Sequence, residues 1–326
     1  MTPDRLLQHF EQISEAPEAV PRMRRFILDL AVRGKLVEQD PTDEPIGLLI
    51  DRIQKERSRR IAEGDAVSTQ TSFEAESGRF LIPRCWGWVR LGFVTNVLMG
   101  QSPAGETYNT RGDGVALING PVEFSDGPFG TTVLNQFTTT PTKLCRKGDL
   151  LLCVRGSTTG RTNVAGLDAR IGRGVAALQS LYADQFIRLF IWSWRDQIIE
   201  MGRGIAFPSI SRRQIEDLAT PFPPLAEQHR IVAKVDELMA LCDELESAQA
   251  KRERRRDRLV ATTLHSLNNG DTSTEPDTHS TFEDSARFYF NHLPRLTTRP
   301  GAHQPTPPDH SRPCSAGKTR ATGPGG

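Results

Sequence analysis

Apolar positions along this chain change their spacing twice. Met23, Phe26, Ile27, Leu30, Ala31 and Val32 fall three and four apart, which predicts a helix capped at its C-terminus by Gly34. An earlier stripe begins at Leu6, Leu7 and Phe10, and after a polar break at 38–45 a further one runs through Ile46, Leu49, Ile50 and Ile53 into the charged stretch 55–60. Residues 63–79, rich in Gly, Ser, Thr and Glu, read as a linker. From 80 to 222 the helical period gives way to short apolar runs at 88–91, 115–118, 150–154 and 174–178, separated by Gly, Asn, Asp and Thr clusters. Such runs predict strands and loops. Inside that region residues 185–201 keep helical spacing through Phe186, Leu189, Phe190, Trp194 and Ile198, which predicts at least one helix there.

The longest periodic stretch comes last. Pro223 and Pro224 suit a helix start, where a missing N–H costs nothing, and Glu227 places a carboxylate at the positive end of the dipole. Ile231, Val235, Leu238, Cys242 and Leu245 follow at alternating steps of four and three, the seam of a coiled coil. Beyond the seam come Lys251, Arg252, Arg254, Arg255, Arg256 and Arg258, relieved by Glu253 and Asp257. A helix of this length spans roughly 65–70 Å at 1.5 Å per residue. That suits a spacer, although periodicity alone equally describes a surface helix with one apolar face. The expected class is α+β: a helical arm at 1–65, a strand-rich domain at 66–222, one long helix at 223–268, a linker at 269–299 and a disordered tail at 300–326.

Composition narrows the partners. The 326 residues leave room for about two domains and the 37% hydrophobic content supplies a core. With 41 basic and 40 acidic residues no global field draws the chain to nucleic acid, so any such contact rests on local patches. Five cysteines, odd in number and without a CxxC pair, argue against a disulfide scaffold or zinc knuckle. No signal-peptide plan opens the sequence and no run of about 18 apolar residues occurs, so a soluble cytoplasmic protein is expected.

Three polar stretches carry chemistry suited to DNA. The run 154–163 offers Arg155, Ser157, Thr158, Thr159, Arg161 and Asn163 around Gly156 and Gly160. Arginine can bond guanine O6 and N7 together, asparagine adenine N6 and N7, and hydroxyls suit phosphates. The second, 202–213, holds Arg203, Phe207, Ser209, Ser211 and Arg212; the third holds Gln101, Ser102, Tyr108, Asn109 and Arg111. On composition each is also an ordinary polar loop, the first a plain hairpin turn. No catalytic constellation is found. Pro221-Phe222-Pro223-Pro224 lacks the leading amide or carboxylate with which adenine methyltransferases grip a flipped base. Asp149 near Lys147 lacks the second acid that a metal-dependent nuclease needs, and the seven histidines have no ligand spacing.

The wording of several stretches goes beyond pattern. Residues 223–232 (PPLAEQHRIV), Val235-Asp236-Glu237-Leu238-Met239 and Cys242-Asp243-Glu244-Leu245 resemble the helix that follows a target-recognition domain in type I restriction–modification specificity subunits. Residues 28–37 (LDLAVRGKLV) look like the arm that opens many of them. Ile82-Pro83-Arg84-Cys85-Trp86-Gly87-Trp88, Lys147-Gly148-Asp149-Leu150-Leu151, the Arg155–Gly160 turn and Phe207-Pro208-Ser209-Ile210-Ser211 resemble parts of the recognition domain itself. The resemblance implies a non-catalytic DNA-reading subunit with two recognition domains held apart by paired helices, each reading half of a split target. It places S-adenosylmethionine on partner methyltransferase subunits and ATP with Mg on a restriction (translocase) subunit, with no cofactor or metal in this chain. A half-length chain would rebuild two heads by head-to-tail dimerisation through the seam. Alternatives are a coiled-coil scaffold whose strand-rich domain binds protein, an inactive remnant, or a stand-alone nuclease or methyltransferase, which the missing signatures disfavour.

The phrase around Phe288–Pro300 resembles the family's entry into a second half, yet Gly301 onward is Pro-, Gly- and Thr-rich without periodicity. Read one base out of register, residues 306–324 are compatible at every position with LRRTILDLAVRGKLVPQDP. That string matches residues 23–41 except opposite Met23, Phe26 and Glu38. The expectation is an internal repeat interrupted by a frameshift near Pro300.

Overall fold

The computed structural model describes residues 18–64, 80–125, 127, 130–140, 142–182, 184–202, 208–269 and 287. The expected stripe at Leu6–Phe10, most of the linker, Arg203 and Phe207, and the tail expected to be disordered lie outside these residues. Contacts group the chain into Val20–Glu246 and a second unit of Met1–Ala19 with Ser247–Gly326.

Two helices open the described chain, α1 (Ala19–Val32) and α2 (Ile46–Ala62). The cap expected at Gly34 is present. Gly34 has φ +66°, Lys35 N–H bonds Leu30 O at 2.9 Å and Gly34 N–H bonds Ala31 O at 3.3 Å, the paired closure that satisfies the last carbonyls of a helix. A side chain there would also strike Pro83, whose Cγ lies 2.4 Å from the position of a Cβ.

The strand-rich region is closed by its own ends: β1 (Gly87–Arg90) pairs antiparallel with β11 (Ala219–Phe222), in the register Gly87 to Phe222. One helical turn, α3 (Leu91–Val94), leads from β1 into β2 (Thr95–Met99). A five-stranded sheet follows the order β3 (Tyr108–Asn109), β5 (Gln136–Thr138), β4 (Val115–Ile118), β9 (Ala169–Ile171), β6 (Leu144–Cys145). A four-stranded sheet follows the order β2, β10 (Val175–Ser180), β7 (Leu150–Cys153), β8 (Thr162–Val164). This second sheet is the middle layer, and strand alternation shows why. Leu150 and Leu152 of β7, with Ala176 and Leu178 of β10, face the helical core. Leu151 and Cys153, with Val175 and Ala177, face the other way into the core shared with the five-stranded sheet. A strand buried on both faces needs an unbroken apolar run, which 150–154 supplies.

The helix expected over 185–201 is two, α4 (Asp184–Ser193) and α5 (Arg195–Met201), broken at Trp194. Ser193 Oγ bonds Phe190 O at 2.9 Å and the Trp194 ring stacks on Phe190 at 5.3 Å, so the aromatic turns back onto the preceding turn. A short α6 (Arg212–Glu216) precedes β11, and α7 runs from Leu225 to Asn269. The seam of α7 pairs within its own chain. Ile231, Val235 and Cys242 are buried in one core with Val20, Ile27 and Leu28 of α1, and Leu238 and Leu245 pack on its edge. Arg24 reaches across from α1 to Asp243 and, at 3.0 Å, to Glu246. The seam expected for dimerisation thus faces the chain's own core at Ile231, Val235 and Cys242, with Leu238 and Leu245 half-buried at its edge.

Candidate functional site

Four connections meet at one end of the middle sheet. The turn 171–175 between β9 and β10 is clasped on one side by the chain leaving β2, where Gly100 N–H bonds Val175 O at 2.9 Å and Gln101 N–H bonds Ile171 O at 3.0 Å. On the other side Val154, leaving β7, donates to Gly174 O at 2.9 Å. The segment before α6 joins the same corner through a bridge between Arg155 and Ser209, with Gly156 N–H to Pro208 O and Ile210 N–H to Val154 O, both 2.9 Å. Packing is tight enough that a Cβ on Gly100 would lie 2.1 Å from Gly172 O. Four stretches separated in sequence thus become one surface held by backbone hydrogen bonds.

The residues expected to touch DNA divide accordingly. Arg155, Ser157, Arg161, Gln101 and Ser102 are exposed, and Ser209 is half-buried beside Arg155. Asn163 is a correction: it has no exposed surface, lies in β8 opposite Leu151, and its amide N–H bonds Ser125 O at 3.2 Å, so it cannot meet a base. Thr159 is likewise buried, its hydroxyl bonded to Gly156 O at 2.7 Å within its own turn. Thr158 is half-buried. Ser211 caps α6, accepting from Gln214 N–H at 3.3 Å, and the Arg212 Nε is held by Glu216 at 2.7 Å. Tyr108, Asn109 and Arg111 belong to the edge of the other sheet, where Asn109 Oδ1 accepts from the N–H groups of Arg111 and Asp113 and shapes the loop. Arg203 lies outside the described residues.

Sequence reasoning missed Arg173. It is exposed at the tip of the clasped turn, between Gly172 and Gly174, with no hydrogen-bond or ion-pair partner among the described residues. The Gly-Arg-Gly signature was visible in the chain; its place between two other loops was not.

At the start of α7, polar side chains join distant parts of the chain. Glu227 has no exposure, and its carboxylate accepts from Trp86 Nε1 at 2.9 Å and Gln39 Nε2 at 2.6 Å. Burial pushes its carboxyl above the ordinary range, while the two donors pull it down. Asp43 takes Arg230 in two bonds of 2.9 and 2.6 Å.

Residues weighed for catalysis have structural work instead. Asp149 accepts from Arg146 N–H and Gln179 Nε2, both 2.8 Å, and its burial raises its carboxyl. Cys145 and Cys153 lie between the sheets as free thiols pushed by burial to about 12 and about 11, far from a reactive thiolate. Among the described residues no group of His, Cys, Asp and Glu could hold a metal, and no helix is long and apolar enough to cross a membrane.

Comparison with known proteins gives a consistent set of likenesses. The family described as Type I restriction modification DNA specificity domain matches residues 83–253. The EcoAI specificity subunit of Escherichia coli, a type I restriction enzyme subunit, is 27% identical over 74% of this chain and 43% of its own length. A putative type I restriction enzyme MjaX specificity subunit of Methanocaldococcus jannaschii is 33% identical over 53% of this chain and 40% of its own. A solved chain from a study of assembly and conformational transition in the type I R-M system has a TM-score of 0.50 at 32% identity, over 66% of this chain and 54% of that one. The chain spans about half the length of the curated relatives it matches.

Proposed function

The chain belongs to the family of type I restriction modification DNA specificity domains, and from that premise we propose that its strand-rich head reads one part of a split target in duplex DNA. The reading rests on one observation above the others: the exposed Arg155, Arg173 and Gln101 stand on adjoining turns whose backbones hold one another rigidly. Rigid turns presenting long donors suit base edges in a major groove, because little ordering entropy is lost on binding. The head recognises, and methylation and cleavage fall to partner subunits carrying S-adenosylmethionine, ATP and Mg. Those partners dock on the helices. A second reading head comes from a second recognition domain or a second copy of this chain. A second copy would join head to tail through the long helix α7.

The test is enrichment of duplexes from a randomised pool by the full chain, with a methyltransferase partner supplied. The wild type enriches one base pattern. Arg155→Ala and Arg173→Ala each relax it at one position by about 1–3 kcal/mol. A wild type that enriches no pattern rejects the reading, and binding to protein without binding to duplex favours a scaffold.

A further inference from the structure

Beside the converging turns lies a cleft of about 200 Å3 lined by Gly127, Gly160, Arg161, Thr162, Trp192 and Arg195. Its two walls come from different parts of the chain. Arg161 stands where the β7–β8 connection re-enters the sheet, its carbonyl accepting from Cys153 N–H at 2.8 Å. Arg195 opens α5, and Trp192 ends the facing side of α4. Gly160 brings the walls together: its φ is +85°, and a Cβ there would lie 2.7 Å from Ile199 Cγ1 and 3.4 Å from Arg195 Cγ. Only glycine lets α5 come so close to Arg161.

The charge in this cleft is unbalanced. Arg24, Arg52, Arg90 and Arg230 reach carboxylates, and Arg57 donates to backbone carbonyls. Neither the Arg161 nor the Arg195 guanidinium has a hydrogen-bond or ion-pair partner among the described residues, and no carboxylate among those residues lines the cleft. Two like charges turned to one hollow repel, and an anion between them relieves that repulsion. Arg161 ends the same connection that carries Arg155, so the cleft continues the candidate interface rather than standing apart from it. We infer that this cleft is a phosphodiester site, in which Arg161 and Arg195 grip the DNA backbone and set the register of the reading turns. The inference rests on the recognition reading above, and it moves Arg161 from base contact to backbone contact.

The experiment follows binding of the full chain to duplex as salt is raised, using the duplex enriched by the wild type and an unrelated one. Arg161→Ala and Arg195→Ala should each lower the slope of log affinity against log salt by about 0.9, and the double variant by about twice that. Both should weaken the two duplexes by the same factor and leave the enriched base pattern unchanged. Arg195→Lys should keep most of the slope, and equal Tm values for all variants exclude misfolding as the cause. An unchanged slope in the double variant overturns the site. So does a base pattern altered by Arg195→Ala. Inorganic phosphate serves as the separate arm. If millimolar phosphate raises the Tm of the wild type but not of Arg195→Ala, while the duplex slopes stay equal, the cleft takes free phosphate and the backbone assignment falls. Wild-type binding without any sequence preference would reject recognition by the head, yet the slope test of the cleft would still stand or fall by itself.

Discussion

Glu227 shows how much one side chain can tie together. Its carboxylate joins Gln39, 188 residues away, and Trp86, 141 residues away, in a place without solvent exposure. From the sequence it reads as a first-turn carboxylate facing a helix dipole; its two donors come only with the fold. Burial lifts its carboxyl above the ordinary value, so the native state keeps the proton longer than the unfolded chain does. The contribution is therefore complete below the unfolded value and is lost as pH rises to the folded one. Wild-type Tm minus that of Glu227→Gln should decline across that window and be flat above it; a difference that stays level from acid to neutral pH rejects the assignment. Glu227→Ala strands the buried Trp86 N–H and should cost about 1–3 kcal/mol in urea denaturation.

Among the elements, α7 repays comparison between apolar and charged contacts. Its seam was legible as a period, and in the fold Ile231, Val235 and Cys242 of that seam lie in one core with residues of α1. Ile231 is fully buried there, so Ile231→Ala should destabilise by about 2–5 kcal/mol. Arg24 joins the same two helices, but its partners Asp243 and Glu246 keep 69% and 63% of their side-chain exposure. Arg24→Ala should cost no more than about 1 kcal/mol. Equal losses in chemical denaturation would mean that the ion pairs, not the apolar seam, hold α1 to α7. The strand β7 was equally legible, since only burial on both faces tolerates Leu150-Leu151-Leu152-Cys153 unbroken. The break between α4 and α5 was not, because apolar spacing continues through Trp194 while the ring turns back onto Phe190.

At the scale of the molecule, one apolar core runs through α1, α2, β1, the middle sheet, α4 and the first part of α7. Arg57 pins the arm to the head within it, its buried Nη1 donating to Gly92 O at 2.9 Å and Phe93 O at 3.0 Å. The arm is thus part of the head rather than a tether. Calorimetry should give one cooperative transition for the Val20–Glu246 unit, and deleting residues 1–62 should lower the Tm of what remains. Two separate transitions, or a head indifferent to the deletion, would show arm and head to be independent.

The sequence by itself determined the apolar period of the helices, the cap at Gly34, the start of α7 after its prolines and the apolar strand run at 150–154. These depend on neighbours a few residues away, where spacing and backbone chemistry act directly. Only the tertiary structure decided which polar residues face outward. Asn163 and Thr159 share a run with Arg155 and Arg161, yet the first pair is buried and the second exposed. Arg173 and Arg195 gained their meaning from turns and helices brought beside them by pairing between distant strands. Which side of a strand meets solvent is fixed by the sheet that packs on it, and that partner is not written in the strand.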